Sequence, residues 1–166
     1  MNVGRILRHL WIPSRLVRRS FPAGTMALIC ETIRESERRH RGQIRFAVES
    51  ALDWRRLFHG KQPPQRALEV FSRLGVWDTA ENNGVLIYLL LADRHVEIVA
   101  DRGIHERVGP GGWDPICRLM ETSFSAGRFE EGVVQGIQAV TEILMKEYPA
   151  TGPATNELPD APVIVR

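Results

Sequence analysis

Two short stretches of this sequence hold side chains suited to chemistry. Asp78, Glu81, Asn82 and Asn83 precede a strongly apolar run, and Asp101, Arg102, His105 and Glu106 follow an alternating one. Carboxylate and amide oxygens are hard ligands and suit a cation such as Ca2+ or Mg2+. Asp78, Glu81 and Asp101 are the expected metal ligands. Asn82, Asn83, Arg102, His105 and Glu106 would line the same rim. The bland alternative is equally physical: Asn-Asn-Gly is an ordinary turn, and Asp101 pairs with Arg102 or Arg107 in a surface network of little weight.

Other chemistries fail on spacing. Cys30 and Cys117 stand far apart with no Cys-x-x-Cys, and neither begins a Cys-x5-Arg phosphate cradle. There is no Asp-x-Asp pair, no Gly-x-Ser-x-Gly elbow and no P-loop. Arg39-His40-Arg41-Gly42 has the look of an Arg-His-Gly motif but ends a helix instead of following a strand. Gly109-Pro110-Gly111-Gly112 reads as a turn. Among His9, His40, His59, His95 and His105, no two share helical ligand spacing. No catalytic residue and no organic cofactor is expected.

The elements that must hold the rim follow from periodicity. Residues 22–41 read as a helix with Met26, Ile29, Cys30 and Ile33 inward, Glu31 and Glu35 pairing with later arginines, and Gly42 as its stop. Residues 43–50 alternate, with Ile44, Phe46 and Val48 on one face and Arg45, Ala47 and Glu49 on the other, so they form a strand. A polar loop with Trp54, Phe58 and His59 leads to Pro63-Pro64 and a helix closed by Gly75. Gly84–Leu91 is a strand apolar on both faces, hence central. Asp93-Arg94 turns the chain into a second strand at Val96, Ile98 and Ala100, a hairpin. Residues 101–112 read as a loop. Asp114-Pro115 opens a helix with Ile116, Leu119, Met120 and Phe124 inward, and Gly127 ends it. The last helix runs from about Phe129 to Tyr148. Its Gly132 and Gly136 lie on one face, and each costs ~1 kcal/mol in a helix, so that face is expected against the sheet. The tail 149–166 is extended, and Val163-Ile164-Val165 suits a groove or an edge strand. The fold class is therefore α/β: a three-layer α/β/α sandwich on a small mixed sheet of three or four strands, with a right-handed crossover.

Length and charge divide the chain. It has 166 residues, 22 basic and 20 acidic side chains and a net charge of +2. Residues 1–20 hold Arg5, Arg8, Arg15, Arg18 and Arg19 and no acid, so the rest is net acidic. Val3, Ile6, Leu7 and Leu10 recur at helical spacing, Pro13 interrupts, and Leu16 and Val17 resume. Basic amphipathic helices dock on membranes or partners, or simply cover the body of their own protein. The expected organisation is a basic arm (1–21), an α/β/α domain (22–148) and a Pro-containing tail (149–166). No apolar run approaches the ~20 residues of a membrane span, and the start is not a signal peptide. The cysteine usage suits a reduced, cytoplasmic setting.

The segment Glu69–Ile104, with Asn82-Asn83-Gly84, Asp93-Arg94 and two strands in order, resembles the TPM domain family. That family includes a thylakoid-lumen protein linked to photosystem II repair and many bacterial proteins. Phe129-Glu130-Glu131-Gly132 resembles the aromatic-x-x-Gly step that opens the family's last helix, and the resemblance spans roughly residues 23–148. It departs at the loop after the second strand, where the family's Gly-x-Gly-Leu-Glu reads Asp101-Arg102-Gly103-Ile104-His105. Family members are typically exported or membrane-anchored, so the resemblance is to a soluble branch. It implies metal binding, described for some members, and phosphatase activity, proposed for a plant member. The expected function is a non-enzymatic interaction module with a divalent cation at its acidic rim. A metal-dependent phosphatase acting on phosphate esters is the alternative. A protein partner and a peripheral membrane contact through residues 1–20 are expected, and nucleic acid is not.

Overall fold

The computed structural model of the protein describes residues 15–52, 60, 62–152 and 155–165. Arg5, Arg8 and the Val3–Leu10 stripe, and Trp54, Phe58 and His59, lie outside them. The elements run α1 (Arg15–Ser20), α2 (Ala23–Glu37), β1 (Gln43–Glu49), α3 (Pro63–Arg73), β2 (Gly84–Leu90), β3 (His95–Ala100), α4 (Arg102–Val108), α5 (Asp114–Ser125), α6 (Phe129–Glu147) and β4 (Val163–Val165). The sheet order is β3-β2-β1-β4. β1 and β2 are parallel, joined by the α3 crossover. β2 and β3 form the hairpin in register Val85 with Ala100, and β4 lies parallel to β1. The tail thus supplies the fourth strand.

Two cores flank the sheet. One joins Ile44, Phe46, Val48, Val85, Ile87 and Leu89 to α2, α5 and α6. The other joins Ala47, Leu86, Tyr88 and Leu90 to Ala67, Val70 and Phe71 of α3 and to Leu158 and Val165 of the tail. β2 is buried at all seven positions, as its apolar run requires. β1 is buried at all seven as well, despite its alternating sequence. Its polar face is covered because α3 and the tail lie over it, and Arg45 and Glu49 are paired there instead of facing water. Val17 of α1 and Phe21 sit in the larger core, with Phe21 against Phe46 and Phe129 at ring distances of 5.9 and 5.8 Å. Arg18 and Arg19 face outward, so this half of the arm covers its own body.

Five readings of the helices need correction. α2 stops at Glu37, and Arg39 leaves it to pair with Glu142 of α6 at 3.2 Å. Gly42 is not a helix stop; an added Cβ would lie 2.5 Å from Leu144 Cδ2, so it is glycine to let α6 approach. Residues 102–108 are α4, not loop, because Asp101 caps the turn and Ile104 anchors it in the core. Gly132 and Gly136 face α5, not the sheet: a Cβ on Gly136 would meet Met120 Sδ at 2.3 Å. Leu119 of α5 is exposed instead of inward.

Candidate functional site

The hairpin brings the loop before β2 and the loop after β3 to one end of the sheet. The Asp101 N–H donates to Gly84 O at 2.8 Å and the Ile104 N–H to Asn82 O at 3.2 Å. Asn82 takes φ 52°, a left-handed conformation that asparagine tolerates. Gly103 completes the approach: a Cβ there would lie 2.6 Å from Asn82 O and 2.9 Å from Tyr148 Oη. Glycine in the Asp-Arg-Gly step is thus required by a third element, the end of α6.

Between them lies a cleft of about 410 Å³ lined by Glu81, Asn82, Arg102, Gly103, Glu106, Arg107 and Tyr148. Four of the expected rim residues line it: Glu81, Asn82, Arg102 and Glu106. Two further groups, Arg41 and Tyr148, were not foreseen, and Arg107 was expected only as a partner of Asp101. The Arg41 Nη1 donates to both carboxylate oxygens of Glu81 at 2.5 Å. The Arg107 guanidinium stands 4.4 Å from the Tyr148 ring centre and donates to Glu147 O at 2.7 Å. The Arg41 guanidinium stands 6.0 Å from the same ring, and its Nε donates to Pro149 O at 3.1 Å. Tyr148 caps the last helix, and periodicity reads it only as that helix's end. An Arg next to a helix end and a terminal Tyr carry no motif, so the sequence held no signal for them.

Electrostatics around the Tyr148 hydroxyl are mixed. Burial pushes its pKa up most; Arg107 opposes, Glu81 raises it, Arg41 opposes and Asp101 raises it. The phenol therefore stays protonated at neutral pH and is a hydrogen-bonding group, not a nucleophile.

The remaining expected residues are spread around this cleft. Asp78 is exposed beside Trp77, and His105 is exposed on α4. Asn83 is fully buried and structural on three sides: its N–H donates to Thr79 Oγ1 at 3.1 Å, its Nδ2 to Arg41 O at 2.9 Å, and its carbonyl accepts from Gln43 N–H at 3.3 Å. Asp101 is the N-cap of α4, with Oδ1 accepting from Arg102 N–H at 2.7 Å. Its Oδ2 is buried with no hydrogen-bond partner, as is Asn83 Oδ1. Asp78, Glu81 and Asp101 do not gather: among the described residues no group of three or more His, Cys, Asp or Glu side chains could hold a metal ion. Both cysteines are half-buried, and burial pushes the Cys117 thiol up to about 12, so it is inert.

A model of the TPM domain matches residues 21–143 of the chain. No curated protein sequence matches it. Among solved structures, the BA42 protein of the psychrophilic bacterium Bizionia argentinensis is similar at 29% identity and a TM-score of 0.77, over 87% of this chain and 95% of that one. The N-terminal domain of a P. gingivalis protein shares the fold at 19% identity and a TM-score of 0.61, over 86% of this chain and 95% of that one. Among the described residues no helix is long and apolar enough to cross a membrane.

Proposed function

The chain belongs to the TPM domain family, and from that premise we propose that it is a non-enzymatic binding module whose rim takes a divalent cation, Ca2+ or Mg2+. One observation carries the reading: the Oδ2 of Asp101 is a carboxylate oxygen withdrawn from water with no donor. Leaving a buried acceptor unmet costs ~1–3 kcal/mol, and more when it is charged. A hard cation would supply the missing positive partner. Asn83 Oδ1 is a second buried oxygen without a donor at the start of β2. With no carboxylate cluster to help, backbone carbonyls and water would complete the shell, which suits a weak site. Bound there, the cation would tie the cap of α4 to the strand end it touches.

The non-enzymatic part rests on the cleft's side chains. Its one hydroxyl is held protonated, and Glu81 is committed to Arg41. A protein partner, a cytoplasmic setting and a membrane contact through the basic arm belong to the same proposal. The exposure of Arg18 and Arg19 supports that contact.

Titration with Ca2+ and Mg2+ followed by amide NMR tests the site. Saturable shifts at Gly84 and Asp101–Glu106, abolished in Asp101→Asn, are expected; their absence in the wild type removes the cation. Metal-dependent turnover of a phosphomonoester, lost in Asp101→Ala, would overturn the non-enzymatic reading in favour of a phosphatase.

A further inference from the structure

The segment 155–165 lies along the outer edge of β1 much as a peptide lies in a receptor. Gln43, the first residue of β1, holds its backbone from both directions. Its Oε1 accepts the N–H groups of Glu157 and Leu158 at 2.7 and 3.0 Å, and its Nε2 donates to Thr155 O at 3.2 Å. Arg45 donates to Pro159 O and Ala161 O. Leu158 is buried in the smaller core, and β4 then pairs with β1 from Ala47 to Glu49. Main-chain capture plus one apolar anchor is the chemistry of strand addition.

The middle of this segment carries a buried acid against another. Asp160 and Glu37 are 8% and 5% exposed and line one small cavity together. Glu37 Oε1 also accepts Ile44 N–H at 2.8 Å, and Asp160 Oδ1 accepts from Asn156 Nδ2 at 2.7 Å. A cavity of about 130 Å³ beside them is lined by Arg34, Glu37, Arg38, Gln43, Thr155, Asn156 and Asp160. The facing charges are Arg34 of α2, Arg38 just past its end and Arg45 of β1. Arg34 Nε stands 3.4 Å from Asp160 Oδ2 but also pairs with Glu31, and Arg38 pairs with Glu35. The hydrogen bonds of Arg45 go to carbonyls, and its Nε is buried without a partner. Two buried carboxyls beside one cavity cannot both ionise cheaply.

We infer that the outer edge of β1 is a strand-accepting surface, that residues 155–165 occupy it as a detachable strap, and that a proton held on Glu37, which lines the same cavity as Asp160, locks the strap down. Loss of the proton sets two carboxylates against each other and frees the edge. Burial, reinforced by Asp160, raises the Glu37 pKa to about 8, which places the release in mildly alkaline solution.

Hydrogen exchange on the full chain, referred to intrinsic rates, tests the lock. Between about pH 6.5 and about pH 9, protection of the Glu157 and Leu158 amides should fall about tenfold or more and stay below that of β2 and β3, which exchange only when the whole fold opens. Glu37→Gln keeps an acceptor for the Ile44 N–H, loses the titrating carboxyl and should abolish the pH dependence. Flat protection in the wild type, protection at Glu157 and Leu158 equal to that of β2 and β3, or an unchanged pH dependence in Glu37→Gln would each overturn the lock. A fluorescein-labelled peptide of residues 155–165 carrying Asp160→Asn tests the edge. Its anisotropy should report binding to the full chain about tenfold tighter at the higher pH, where the strap has left and the peptide meets no repulsion. No binding at either pH, or equal binding at both, would overturn the strand-accepting surface.

Discussion

Single side chains on β1 carry more of this structure than their types suggest. Glu49 is buried and receives Arg66 Nε and Nη2 at 2.8 and 3.0 Å and the Tyr88 hydroxyl at 2.6 Å. Arg66→Ala leaves Glu49 charged and buried, so a loss of ~3–5 kcal/mol in urea unfolding is expected. Tyr88→Phe leaves the Arg66 pair intact and should cost only ~1–2 kcal/mol. His40 is a second case. It is buried, with Nδ1 on Gly42 O at 3.1 Å and Nε2 on Ser36 Oγ at 2.8 Å, and Ser36 in turn meets Thr141 Oγ1 at 2.6 Å. The Gly42 carbonyl can only accept, so Nδ1 carries the proton and Nε2 accepts from Ser36. The alternation of β1 is legible in the sequence. That its polar face is covered is not, because the cover comes from α3 and from a segment more than a hundred residues away. A buried Glu and an exposed Glu are the same letter; only the partner across the fold distinguishes them.

Elements are the most legible level. Gly84–Leu90 and its hairpin follow from the apolar run and the Asp93-Arg94 turn, and the α3 limits follow from Pro63-Pro64 and Gly75, at φ +65°. The convergence of the two rim loops follows from the hairpin too. What escaped was α4, whose apolar content is too slight for periodicity to show. Contacts between elements also escaped, as at the two glycines of α6. Gly136→Ala and Gly84→Ala separate these kinds of contact. At Gly136 the new Cβ meets Met120, a flexible thioether, and alanine gains ~1 kcal/mol of helix propensity in return. At Gly84 it would lie 2.0 Å from the Val76 backbone carbonyl, which cannot rotate away. Thermal unfolding should show Gly136→Ala within ~1 kcal/mol of the wild type and Gly84→Ala far less stable.

Across the whole molecule, two buried groups bend the pH profile of stability in opposite directions. Burial, aided by Arg39, lowers the His40 pKa to about 4 against the hydrogen bond to Gly42. The unfolded chain binds that proton more readily, so stability falls as pH drops from about 6.5 through about 4. Glu37 is raised to about 8, so its contribution is fully present below about 4.5 and is lost as pH rises through about 8. Denaturant titrations across this range should show both limbs, with His40→Gln flattening the acid one and Glu37→Gln the alkaline one. The described half of the basic arm buries Val17 and turns Arg18 and Arg19 outward. The sheet order also sets a timetable. β3, β2 and β1 and their helices are all made from residues up to about 147, whereas the strap's bonds to Gln43 join residues 114 and 115 apart in sequence. A chain emerging from a ribosome can assemble its three-strand core before the strap arrives, and during that interval β1 is an open edge of the kind that templates aggregation. The strap closes that edge, and with it the interval in which the newborn chain can template aggregation.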